Sequence, residues 1–178
     1  MKLRVLYLFA FCGLNFYTEA QEIEFINNND TFNILRSKCL NYVALNFDLI
    51  KLENFKDIIK HKENTITYSN NNNVGGFTGM KNDPILRILL KEKIEEYKVN
   101  SNKGAARNIK FKYLATRDVK FSYCHFVIYP VVKLNDLLIM KIWARSIKYL
   151  DDVSIGEMYF FYDCKLNLQY FYYTDSVL

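Results

Sequence analysis

The run Asp83-Pro84-Ile85-Leu86-Arg87-Ile88-Leu89-Leu90-Lys91-Glu92-Lys93-Ile94-Glu95-Glu96-Tyr97 decides the fold class of this chain. Asp83 is a good helix N-cap, because its carboxylate can accept a backbone N–H of the first turn. Pro84 comes next at the first helical position, where its missing N–H costs nothing. Leu86, Leu90, Ile94 and Tyr97 then fall on one stripe, widened by Ile85 and Leu89, while Lys91, Glu92, Glu95 and Glu96 occupy the rest. The spacing predicts an amphipathic helix over 83–97 that must bury one face against something. The chain beyond it reads as strand. Ile109, Phe111 and Tyr113 alternate with Lys110 and Lys112, and Val119, Phe121 and Tyr123 continue the period of two. The pair of strands has its turn near 118–122. Phe126 and Ile128 shift the phase, which hints at a bulge. Residues 137–147 and 157–163 read as two more strands joined across 149–154, and 165–173 as a last one. One helix laid across a sheet of short hairpins is an α+β layout with no parallel crossover.

The rest of the chain sets bounds on this reading. A length of 178 residues argues for one domain, possibly with an appendage, and an apolar fraction of 51% is enough for a packed core. The net charge of +5 is spread along the chain rather than clustered, so a nucleic-acid partner is not expected. Lys2 and Arg4, the short apolar run from Leu6 to Phe16, and Thr18-Glu19-Ala20 before Gln21 together have the form of a secretory signal peptide over 1–20. A membrane span needs roughly 20 apolar residues, and no later segment reaches that. Secretion would leave Cys39, Cys124 and Cys164, an odd number, from which one disulfide and one free or intermolecularly bridged thiol are expected, with the pairing open.

Residues 21–73 read as an N-terminal extension of unknown role between asparagine runs, Asn27 to Asn29 and Asn70 to Asn73, each expected as a linker. Within it Val43, Leu45, Phe47 and Leu49 alternate and suggest a strand, and 54–61 a short helix. Asn29-Asp30-Thr31 fits the N-glycosylation acceptor pattern.

The order over 74–170 resembles the cystatins, inhibitors of papain-like cysteine proteases. Val74-Gly75-Gly76 falls where that family has the glycine of its N-terminal segment. Glu96-Tyr97 with Asn100-Ser101-Asn102 after it is similar to the family's helix exit, and Ala115 stands three residues before the first hairpin. The five positions of that hairpin, Gln-x-Val-x-Gly in the family, fall on Asp118, Val119, Lys120, Phe121 and Ser122. Lys141-Ile142-Trp143 resembles the strand entering the second hairpin, whose Pro-Trp pair falls on Ser146 and Ile147. The resemblance implies a cystatin-like fold over 74–178, with one long helix packed across a curved antiparallel β-sheet. It also implies a secreted inhibitor that blocks the cleft of a papain-like, cathepsin-type protease through Gly75, Gly76, Asp118, Val119, Lys120, Phe121, Ser122, Ser146 and Ile147. Such blockade is physical. It needs no catalytic residue, cofactor or metal, and no membrane or nucleic-acid partner.

The departures bear on that activity. Lys120 stands for a valine and would bring an ammonium into a desolvated contact, Ser122 stands for a glycine, and Ser146-Ile147 replaces the Pro-Trp pair with its aromatic anchor. The alternative is a secreted binding or effector protein that uses the scaffold without protease inhibition.

Other chemistry-bearing residues read more plainly as structural. Cys124 and His125 are adjacent on a strand and point to opposite faces, so they form no dyad; a packed or bridged cysteine beside a surface histidine is expected. His61 is the only other histidine, too few for a metal site. Asp151 and Asp152 are expected as solvated carboxylates in a turn. Trp143 is expected in the core or on a sheet face, and Gly75-Gly76 also fits a flexible linker.

Overall fold

The protein, seen in a computed structural model, is described over residues 24–26, 28–50, 65–71, 74–81, 83, 84, 86, 109–114, 124–148 and 151–175. The signal-peptide segment, the expected 54–61 helix, most of the 83–97 helix, and the segment 115–123 lie outside the described residues.

Residues 29–46 form a helix, α1 (Asn29–Asn46), in place of the alternating strand expected around Val43. The reason is visible upstream. Phe32, Leu35, Cys39, Leu40 and Val43 recur at helical spacing and are buried, so the 3.6-residue period outweighs the local alternation. The asparagine run before the helix is not a linker: the Asn28 side chain accepts from the backbone N–H of Asp30 at 2.9 Å and of Thr31 at 3.3 Å, capping α1. Asp30 in the first turn complements the helix dipole.

Among the described residues, eight strands make one sheet: β1 (Glu24–Phe25), β2 (Thr65–Asn70), β3 (Lys110–Tyr113), β4 (His125–Ile128), β5 (Val132–Leu134), β6 (Leu137–Lys148), β7 (Asp151–Asp163) and β8 (Leu168–Thr174). β6 is the centre. Along one edge it pairs β5 and then β4, and along the other it pairs β7 throughout its length. β8 lies beside β7, and β1 beside β5. These pairs are antiparallel. β2, however, runs parallel to both of its neighbours, β3 and β4. The expected absence of parallel crossovers is therefore corrected, because β2 reaches β4 only through the long connection 71–124. β3 and β4 accordingly run in the same direction with β2 between them, so they are not the two arms of a hairpin.

Alternation assigns the two faces. Phe126, Ile128, Leu138, Met140, Ile142, Ala144, Met158, Phe160 and Tyr162 point to one face and share a core with Phe32, Leu35, Cys39, Leu40 and Val43 of α1. Burial of each large side chain contributes about 1.5–3 kcal/mol. Residues 24–26, 28–50 and 65–71 are thus integral to the packing: β1 and β2 belong to the sheet and α1 covers it. On the opposite face Val132, Leu134, Ile139, Tyr159 and Phe161 pack with Met80 of a second helix, α2 (Val74–Lys81), and with Leu86. The result is an α+β arrangement of a mostly antiparallel sheet with helical residues on both faces.

Candidate functional site

The polar chemistry gathers on the α2 face. Lys141 of β6 lies within an apolar run, Leu137 to Trp143, yet its side chain points into this face and is only 7% exposed. An isolated ammonium there would be prohibitively costly. It is paired twice, with Asp83 and, at 2.6 Å, with Glu157 of β7. The Tyr159 hydroxyl lies 3.0 Å from both oxygens of Asp83 and 2.6 Å from Oε2 of Glu157. A phenol has one proton to give, so it serves one carboxylate at a time and the two compete for it. The rings of Tyr129 and Tyr159 stand 5.2 and 5.3 Å from the ammonium. Asp83 also accepts the Leu86 N–H at 2.9 Å, which realises the N-cap read from the sequence.

These contacts set the protonation states. Burial alone would lower the Lys141 pKa, but the hydrogen bonds and charges of Asp83 and Glu157 outweigh it and hold the group above the ordinary lysine value. Burial, reinforced by the same two carboxylates, pushes Tyr159 well above the usual phenol range. Lys141 stays a cation and Tyr159 stays protonated, so neither serves as a nucleophile. The cluster ties Asp83 to β6 and β7.

A second chain of polar contacts lies on the same face toward β2. His125 of β4, expected at the surface, is 1% exposed, with Thr67 and Ser69 of the neighbouring β2 against its ring. Its Nδ1 lies 2.9 Å from Thr67 Oγ1 and its Nε2 2.8 Å from Ser69 Oγ. Thr67 gives its own hydroxyl proton to the Cys124 carbonyl at 3.1 Å, so its oxygen accepts from His125 Nδ1–H. Nε2 is then the bare nitrogen, and Ser69 donates to it. Burial, with a smaller push from the Arg145 guanidinium, lowers His125 to about 4. A serine donating to an oriented imidazole has the connectivity of a nucleophile and its base. Ser69 is 2% exposed, however, and a base of such low pKa takes a proton poorly at neutral pH. The arrangement acts as a satisfied hydrogen-bond chain joining β2 to β4. Beside it the Arg145 guanidinium stacks 4.6 Å from the Trp143 ring on this sheet face.

Of the residues to which the sequence points, Gly75 and Gly76 lie within α2 rather than in an extended segment or a linker. A Cβ on Gly76 would come 1.8 Å from the Asn71 carbonyl oxygen, so this glycine permits a close backbone approach. Asp118, Val119, Lys120, Phe121 and Ser122 lie outside the described residues. Ser146 and Ile147 pair with Val153 and Asp152 near the end of the β6–β7 hairpin. Asp151 and Asp152 are therefore strand residues and not a turn, and β7 starts six residues before the expected Glu157. Cys39, Cys124 and Cys164 are in no disulfide, so the expected bridge is not formed. Cys39 is packed 3.3 Å from the Tyr162 hydroxyl and 3.6 Å from Met140 Sδ, and Cys164 is exposed. Burial raises the Cys39 and Cys124 thiols far above the ordinary range, which keeps them unreactive. Among the described residues no cluster of His, Cys, Asp and Glu could hold a metal, and no helix is long and apolar enough to cross a membrane.

Among the described residues, the end of the β6–β7 hairpin has no third strand beside it. β4 accompanies β6 as far as Arg145, and β8 accompanies β7 as far as Glu157. Among the described residues, 146–148 and 151–153 pair only with each other. These three pairs span about 10 Å at about 3.3 Å per residue. The β6–β7 register slips between Ala144 and Arg145. No protein-family model, curated protein or solved structure matches the chain.

Proposed function

We propose that this chain is a secreted binding protein that engages its partner through the end of the β6–β7 hairpin, and that the partner is a papain-like cysteine protease. The single observation that carries the reading is the pairing of 146–148 with 151–153 at the hairpin end, because it includes Ser146 and Ile147, the positions the cystatin resemblance assigns to the second inhibitory hairpin. A narrow ribbon is a shape that enters a cleft, and its backbone N–H and C=O groups are engaged in pairing with each other. The cystatin-like fold is part of this proposal. It draws on the helix packed across a largely antiparallel sheet, and it must accommodate the parallel β2 pairs, which the family's pattern lacks.

The activity is tested by titrating papain and a lysosomal-type cathepsin with the purified protein against a fluorogenic peptide. Reversible inhibition at micromolar protein or below is expected. Full protease activity at that concentration overturns the inhibitor reading. Binding to a protease whose active site is blocked, without inhibition of the free enzyme, would favour the non-inhibitory binding protein instead.

A further inference from the structure

We infer that Asn29 is an acceptor for an N-linked glycan. This rests on the secretory reading of the chain. Of nineteen asparagines, Asn29 alone has Ser or Thr two positions later, in Asn29-Asp30-Thr31. The structure adds what the pattern by itself lacks. The neighbouring Asn28 performs the capping of α1 with its side chain, which leaves the Asn29 amide without that duty. Asn29 is exposed at the start of the helix. The first buried side chain of the helix is Phe32, so a bulky group on Asn29 disturbs no core contact.

In the transfer the Asn29 Nδ2 forms a bond to C1 of an oligosaccharide carried on a lipid pyrophosphate. The C1–O bond to the pyrophosphate breaks, the lipid pyrophosphate leaves, and the amide proton passes to a base of the transferase.

The test is expression of the full chain in a secreting eukaryotic cell, with digestion by peptide:N-glycosidase F. A shift to faster mobility is expected for the wild type and for Thr31→Ser, and no shift for Asn29→Gln or Thr31→Ala. A parallel arm places the chain behind an unrelated cleavable leader in a microsomal translation. An unshifted chain that is protease-protected in that arm overturns the acceptor assignment. A shift there combined with retention of the wild type in the cell supports the acceptor and overturns only the secretory reading.

Discussion

His125 shows how a single buried side chain ties stability to pH. Its pKa is about 4 in the fold against 6.5 free, so the unfolded chain binds more protons in the window between them. The stabilisation is complete above about pH 6.5 and is lost as the pH falls toward 4, by up to about 1.4 kcal/mol per pH unit. Urea denaturation across pH 4–7 should show this slope, and His125→Gln should flatten it. Lys141 gives the complementary case. Lys141→Met leaves Asp83 and Glu157 facing one another around a single phenol, and should cost about 3–5 kcal/mol. Adding Asp83→Asn and Glu157→Gln should recover much of that loss in the same denaturation assay. The sequence carried one mark of this site, a lysine inside the apolar run Leu137 to Trp143. It carried none of the Ser69–His125–Thr67 chain, because those residues are joined by the β2–β4 pairing across more than fifty positions.

At the scale of elements, local signals were legible and partners were not. The alternation at 110–113 and the Asp83 cap both hold in the structure. The alternation from Val43 to Leu49 misled, because the buried stripe that fixes α1 begins eleven residues earlier at Phe32. The strands on either side of 118–122 looked like a hairpin because strand period says nothing about direction. Only the insertion of β2 between β3 and β4 shows that they run the same way. The glycines of α2 differ in what surrounds them. Gly76→Ala drives a Cβ into the Asn71 carbonyl and should destabilise by about 1–3 kcal/mol. Gly79→Ala meets only the Tyr129 ring edge at 3.2 Å, and the helix propensity of alanine offsets that contact, so its thermal midpoint should stay near wild type. A larger loss at Gly79 than at Gly76 would contradict the α2 packing. At the other helix, Asn28→Ala should cost about 1 kcal/mol through loss of the α1 cap, read by the same melts.

For the whole molecule, the long central hairpin joins the scaffold to the proposed function. Its inner half is held by β4, β5 and β8 and by both cores, so it is rigid where it is anchored. Its outer end, unpaired with any other strand among the described residues, is the part that the proposal assigns to a partner. This division predicts that substitutions at the tip change binding and leave the fold intact, whereas substitutions at Lys141 or Gly76 do the reverse. Ile147 is the apolar residue of β6 nearest the turn, and an aspartate there would have to be desolvated in any tight cleft. The direct measurement is the inhibition constant of wild type and Ile147→Asp against papain, with thermal midpoints taken on the same samples. Inhibition by the wild type, at least tenfold weaker inhibition by Ile147→Asp, and matching midpoints are expected. Equal constants for the two proteins, or no inhibition by either, would contradict the proposed function.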